Sequence, residues 1–460
     1  MDLWQTQKSA FTLLVCLALS ACTSLNPANL TATGTDPEVV KVTNTLLPRT
    51  ETRTPIQAAW WQKFNDPLMT SLIQEAWKAN PDLASAQASV KAARAQGVIA
   101  GASLLPSLSG SGSIRDSKGS GTSLTAGMDA SWELDFWGAN RLAATAAQRD
   151  AQATQASYED VKASLAAEVA SAYVNLRLAQ ASLSSSRQSN KSRLETVNLT
   201  NLRKQAGLAS GLDTEQARLS LGQTQAQLPA LEGSVQRANY ALAALTGKAP
   251  NALEKQLAAG KPIPNAKGRL NPQIPANALR QRPDIRAAEY KVAAASARVD
   301  EAKANLYPNF NLGGSLGLSG LNVGDLLDTT NLARSLLASI SAPLLDGGRL
   351  KQQVVVRDAN YEQALATYQK TLLGALQEVA NALATLASIQ KQQPILNQNL
   401  QLAKSTENLA RLSYNAGTAD FQNVLDAQRS VLSAQDSVLS AQANYSLALI
   451  SLYKAVGGAW

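Results

Sequence analysis

The chain is written twice. Asn80-Pro81-Asp82-Leu83 returns as Arg282-Pro283-Asp284-Ile285, and Leu104-Leu105-Pro106 returns as Leu306-Tyr307-Pro308 at the same spacing. Further on, Glu168-Val169-Ala170 returns as Glu378-Val379-Ala380, and Ala206-Gly207-Leu208-Ala209 as Ala416-Gly417-Thr418-Ala419. One half is therefore one supersecondary unit. Such a unit buries its apolar faces only against its sister or against another subunit, so the 460 residues form one extended architecture of two similar halves.

Each half changes period in the same order. From Asp66 to Leu104 the pattern is helical, with a new helix opening at Pro81 behind Asn80. Between Ser107 and Arg115 the odd positions are Ser or Arg, while Leu108, Gly110, Gly112 and Ile114 fill the even ones. From Ser123 to Phe136, Leu124, Ala126, Met128, Ala130, Trp132, Leu134 and Phe136 face one way, and Ser123, Thr125, Asp129, Ser131, Glu133 and Asp135 the other. In the second half, Phe310, Leu312, Leu316 and Leu318 share one face, then Leu336, Ala338, Ile340, Ala342 and Leu344 another. This is strand alternation, over about ten residues each, the length of a tilted strand crossing hydrocarbon. A half-buried sheet in a soluble protein alternates equally well; Trp132, Phe136 and Trp137 stand where the aromatic girdle of a membrane barrel would be.

Long helices follow the strands. No glycine or proline lies between Gly138 and Gly207, and only Gly374 and Pro394 lie between Gly348 and Gly417. Such helices would run roughly 100 Å, and Pro394 is expected to bend the second. The expected strands are about 107–116, 122–136, 309–318 and 334–344; the long helices 139–206 and 349–416; the returning helices 213–245 and 421–456. Residues 60–247 then make the first repeat, 248–282 a Pro-rich, irregular crossing segment, and 283–460 the second repeat.

The N-terminus carries an address. Lys8 precedes the apolar run from Ala10 to Leu19, too short to span a bilayer and followed by small residues, which predicts a cleaved leader over 1–21. Leu19-Ser20-Ala21-Cys22 looks like a bacterial lipobox, so Cys22 is the candidate lipidation site and new N-terminus, and Thr23 in place of an aspartate favours the outer membrane. With Cys16 removed, Cys22 is the one remaining cysteine and no intramolecular disulfide forms. Residues 22–59 are polar, without a period, and read as an extended tether.

Composition excludes other classes. The net charge of +8 is spread along a chain with only 17% charged residues, so no basic block suits nucleic acid. With no histidine, no glycine-rich phosphate loop and no clustered carboxylates, the side chains that usually serve as nucleophiles, bases and metal ligands lack partners; neither catalysis, a metal nor a cofactor is expected beyond the covalent lipid. Four membrane strands cannot close a barrel, and an open edge in lipid leaves backbone groups unsatisfied, so the chain is expected to oligomerise. Dimer, trimer and tetramer all satisfy that physics.

The residues Trp60-Trp61-Gln62-Lys63-Phe64-Asn65-Asp66-Pro67-Leu68, Asn80-Pro81-Asp82-Leu83 with Arg282-Pro283-Asp284-Ile285, Tyr307-Pro308, Pro343-Leu344-Leu345-Asp346-Gly347-Gly348-Arg349-Leu350 and Leu425-Asp426-Ala427-Gln428-Arg429 together resemble the TolC-like outer membrane efflux proteins, and within them the NodT-type lipoproteins. The resemblance implies an α+β membrane protein: a homotrimer whose twelve-stranded β-barrel continues into a long periplasmic α-helical barrel. It implies the exit duct of a tripartite pump, with a periplasmic adaptor and an inner-membrane transporter of the RND type, set in outer-membrane lipid. It further implies a periplasmic gate of Tyr414, Asp426 and Arg429, and adaptor-contacting tips at Gly207-Leu208-Ala209 and Gly417-Thr418-Ala419. Two other readings stand beside small-molecule efflux: a duct for secreted polypeptides, and a structural envelope lipoprotein without a pore, which has no use for four alternating apolar segments.

Overall fold

The computed structural model describes residues 37–46, 59–118, 121–266, 279–322, 328, 330 and 332–457. The leader over 1–21, Cys22 and much of the tether lie outside them.

The four alternating segments form one antiparallel sheet in the order β1-β2-β3-β4: β1 Ser107–Ser117, β2 Gly121–Leu134, β3 Asn309–Gly320 and β4 Leu332–Ser341. Register puts like with like. Met128 stands opposite Gly110 and Leu316, Trp132 opposite Leu312, and Phe310 opposite Leu134 and Ile340, so every large apolar residue but Leu337 shares one face. Leu337 stands on the other face, opposite Gly313. A one-residue slip would turn every side chain over, which is why the alternation fixes the pairing.

Two strand ends fall short of expectation. β2 stops at Leu134 because Asp135 leaves the ladder: its carboxylate accepts from Asn140 N at 3.1 Å and Arg141 N at 3.0 Å, capping the next helix, and Phe136 N turns back to Leu134 O. β4 begins at Leu332 and stops at Ser341, just before Pro343, which has no N–H to continue a ladder. Phe136 and Leu344 therefore lie beyond the strands.

Nine helices lie among the described residues. They are α1 (Pro37–Leu46), α2 (Pro67–Ala79), α3 (Pro81–Ala102), α4 (Ala139–Gln205), α5 (Gly211–Leu245), the single turn α6 (Glu254–Leu257), α7 (Pro283–Ala304), α8 (Arg349–Asn415) and α9 (Phe421–Ala455), with a 3-10 turn at Trp60–Phe64. α1 corrects the expectation of a wholly extended tether: Val39 packs into the main core at 1% exposure. The Pro-rich crossing segment carries the turn α6, with Leu257 buried. Helix α5 starts two residues ahead of expectation because Ser210 caps it, in a capping box with Asp213. Helix α8 runs through Pro394 as one element.

α4 and α8 are each 67 residues long. α4 packs on α3, α5, α7 and α9, and α8 on α7 and α9. The core sits midway along them, where Trp60 stacks on Tyr453 at 5.5 Å and Trp61 meets Trp77 edge-on at 5.1 Å. Beneath lies a buried polar chain. Tyr173 Oη donates to Asp66 Oδ2 at 2.7 Å, and Arg177, fully buried, donates to Tyr173 Oη at 3.0 Å and Ala259 O at 2.8 Å. Burial, and then the Asp66 hydrogen bond, push the Tyr173 phenol up to about 12.

Candidate functional site

The sheet has two chemically distinct faces. Rows of directly opposed residues on the polar face read Ser111, Gly127, Gly317, Ala333, then Ser109, Asp129, Ser315, Ser335, then Glu133, Asn311, Ser339. Hydroxyls bridge strands there: Ser113 Oγ and Thr125 Oγ1 lie 2.8 Å apart, and Ser315 Oγ and Ser335 Oγ 2.7 Å. Asp129 and Glu133 are the carboxylates of that face and Arg115, near the far end of β1, is its cation among the described strand residues. On the apolar face Leu108, Ile114, Leu336 and Ile340 stand more than 60% exposed, as lipid-facing residues of a membrane strand do. At the helix end of the sheet Trp137 stacks on Tyr307 at 4.7 Å and donates Nε1 to Pro308 O at 2.8 Å, and Phe136 meets Phe310 at 4.8 Å. Of the aromatic residues expected to form a girdle, Phe136 and Trp137 thus join a cross-repeat cluster at the strand–helix junction, while Trp132 stays on β2 and donates Nε1 to Leu104 O at 3.1 Å.

At the opposite end of the helices, both repeats close by one device. Gly207 and Gly417 each have φ +74°. Gly207 N donates to Lys204 O and Leu208 N to Arg203 O; Gly417 N donates to Tyr414 O and Thr418 N to Ser413 O. These are Schellman caps, in which a left-handed residue satisfies the last helical carbonyls, and glycine takes that conformation without a Cβ penalty. They leave Leu208 and Thr418 exposed and Ala209 and Ala419 partly covered.

The gate residues expected from the resemblance do not form one cluster within a protomer. Tyr414 is 7% exposed and packs in a small core with Val197, Ala217, Phe421, Val424 and Leu425, its ring 5.1 Å from Phe421. Burial raises its phenol pKa, with the Asp213 carboxylate adding and Arg203 opposing. Asp426 and Arg429 are paired at 3.3 Å on α9, with side chains 57% and 52% exposed, and Gln422 Nε2 also donates to Asp426 at 3.1 Å. An exposed pair of this kind contributes about 0–1 kcal/mol, so its geometry is not held for stability.

One residue at this end had no sequence signal. Arg203, four positions before Gly207, donates Nη1 to Asn415 O at 3.2 Å and lies 4.7 Å from the Tyr414 ring centroid. It joins the two hairpin tips. A cation in the last turn of a helix is common, and only the fold reveals that this one reaches the other repeat.

A sheet apolar on one face and hydroxyl-lined on the other, open at both edges and continued by paired helices roughly 100 Å long, defines one subunit of an oligomeric membrane duct. The chain belongs to the outer membrane efflux protein family, whose model matches residues 72–248 and 274–458. It is 32% identical to the pyoverdine export outer membrane protein OpmQ of Pseudomonas putida, over 87% of this chain and 88% of that one. It is also 32% identical to nodulation protein T of Rhizobium leguminosarum bv. trifolii, over 81% of each. Among solved structures, the outer-membrane channel OprN superposes with a TM-score of 0.83 at 29% identity, covering 90% of this chain and 95% of that one. The protein is thus an exit duct of the bacterial outer membrane. Three copies join their sheets into a twelve-stranded barrel continuous with a helical barrel, and the trimer works with a periplasmic adaptor and an inner-membrane pump.

Proposed function

We propose that this duct passes small molecules delivered by a pump of the RND type, is tethered by lipid on Cys22, and is gated at its periplasmic end by Tyr414, Asp426 and Arg429. The observation that carries the gate is the exposed Asp426–Arg429 pair on α9, just past the capped tip, beside a core in which Tyr414 is held from both repeats. In a trimer, three Asp426 carboxylates brought near the axis repel like charge and narrow the entrance; opening spreads them. The Gly207-Leu208-Ala209 and Gly417-Thr418-Ala419 tips, capped by backbone hydrogen bonds and with Leu208 and Thr418 exposed, are the surfaces offered to the adaptor.

Small-molecule efflux is preferred to polypeptide export because the relatives include a solvent efflux pump outer membrane protein from Pseudomonas putida. Single-channel conductance in planar bilayers tests the gate. Wild type should show small, flickering openings, and Asp426→Ala should conduct more; unchanged conductance in the variant would place the gate elsewhere. Metabolic labelling with palmitate tests the lipid: the label should be lost in Cys22→Ser.

A further inference from the structure

Each protomer carries one unpaired charge on the lipid-facing side of either edge strand. Arg334 lies on β4 opposite Leu316, and Asp116 on β1 opposite Thr122, both on the apolar face. Among the described residues neither has an ion-pair partner in its own protomer; Asp116 accepts only from Thr122 Oγ1 at 3.2 Å. An arginine facing hydrocarbon is destabilising, most of all toward mid-bilayer, so a carboxylate beside Arg334 at the same depth would stabilise the barrel.

Strand register says which carboxylate can reach it. The row through Arg334 runs Leu316, Met128, Gly110. Outward from this row β1 continues to Ser117, whereas β4 reaches only Leu332; toward the periplasm β1 ends at Ser107, whereas β4 runs on to Ser341. The middle of β1 thus lies about two residues outside the row and the middle of β4 about two and a half inside it. Strand midpoints drift toward the periplasm by about 1.5 residues per strand, or about six over the four strands of one protomer, as they must in a tilted sheet crossing one slab.

Three-fold closure makes β1 of the next copy continue this drift. Only an even offset keeps apolar faces together. An offset of six gives a strand tilt of about 45°, with rises of ~3.3 Å and spacings of ~4.8 Å, while four gives about 35°. Six sets Arg334 opposite Asp116 of the partner subunit; four sets it opposite Ile114 of the partner subunit. Drift and charge both select six. We propose that the subunit seam of the barrel is closed in this register, with an Arg334–Asp116 ion pair between neighbouring subunits near the outer rim of the lipid face.

This seam rests on the trimeric duct reading, and cysteine pairs separate the two. Directly opposed strand residues lie about 4.5–5.5 Å apart at Cα, within disulfide reach. Arg334→Cys with Asp116→Cys in one chain should give a covalent trimer on non-reducing gels of extracted membranes. Arg334→Cys with Ile114→Cys should not. Cross-linking by the second pair alone, or by neither pair in a protein that still sizes as a trimer, would overturn the register. A parent chain that extracts as a monomer would overturn the duct reading and the seam with it. Charge reversal checks the ion pair itself: Arg334→Glu should lower the temperature at which the detergent-extracted trimer dissociates, and adding Asp116→Arg should restore it. A double variant no more stable than the single one would remove the pair.

Discussion

Arg282 Nη1 donates to the backbone carbonyl of Ala455 at 2.7 Å, tying the start of α7 to the end of α9. The first repeat makes the same tie with a different residue: Asn80 Nδ2 donates to Leu245 O at 3.0 Å, joining α3 to the end of α5. In each case the residue before the helix-opening proline satisfies a terminal helical carbonyl that has no partner in its own helix. Arg282 does more, since it also pairs with Asp284 at 2.8 Å and Glu378 at 2.9 Å while only 6% exposed.

Removing Arg282 should therefore cost more than removing its counterpart. Arg282→Ala leaves the Ala455 carbonyl and the partly buried Asp284 carboxylate without their partner, while Glu378, its side chain 56% exposed, turns to water; the loss should be about 2–3 kcal/mol, whereas Asn80→Ala loses a cap and one hydrogen bond, about 1–2 kcal/mol. Thermal unfolding of the two variants side by side gives the comparison; equal losses would mean that the Arg282 network adds nothing.

Gly247 cannot become alanine without movement. Its φ is +66°, and a Cβ there would lie 2.2 Å from the Ala79 carbonyl oxygen. Gly247→Ala should lower the thermal midpoint clearly, while Gly222→Ala, with open space around it, should leave it unchanged or raise it.

Asp160 gives a pH signature. Burial first, and then the Asp284 carboxylate, raise its pKa above the ordinary carboxylate value, against the pull of Lys454 and Arg282. A raised folded pKa means that the native state holds its proton longer than the unfolded one, so this group destabilises progressively as pH rises from the ordinary carboxylate range through the folded pKa. Asp160→Asn should stabilise the protein at neutral pH and lose that advantage in acid below the ordinary carboxylate range. A benefit that does not change with pH would sink this account.

The lumen carboxylates should select charge. A twelve-stranded barrel tilted by about 45° has a backbone radius of roughly 13 Å, so three copies of Asp129 and Glu133 project to within about a Debye length of the axis at physiological salt. Reversal potentials under a potassium chloride gradient should show cation preference in the wild type. Asp129→Asn with Glu133→Gln should weaken it, and more visibly at low salt. Unchanged selectivity would assign that property to the tip alone.

Much of this molecule is legible because its signals are local. Alternation over Leu124 to Leu134 gives a strand and its face, and the glycines at 207 and 417 give the hairpin turns. What the sequence hides are contacts whose partners lie far along the chain. Nothing near Arg177 announces that it is fully buried and donates to Ala259 O, and nothing near Arg203 announces Asn415. Strand ends are missed for a related reason: Asp135 fits the alternation, but its carboxylate is better satisfied by the amides of the next helix. The helix at Pro37–Leu46 escapes because its apolar face, marked by Val39 and Val42, spans barely one turn, and a run of β-branched residues argues equally for an extended segment.

The paired Schellman caps have a consequence for symmetry. A trimer of a duplicated chain presents six hairpin ends, three closed by Gly207-Leu208 and three by Gly417-Thr418, in pseudo-sixfold alternation. A partner ring of three subunits would read each kind of end with a separate surface. A ring of six would have to grip an exposed leucine and an exposed threonine with the same surface, and its grip would then depend on the backbone shape the two ends share.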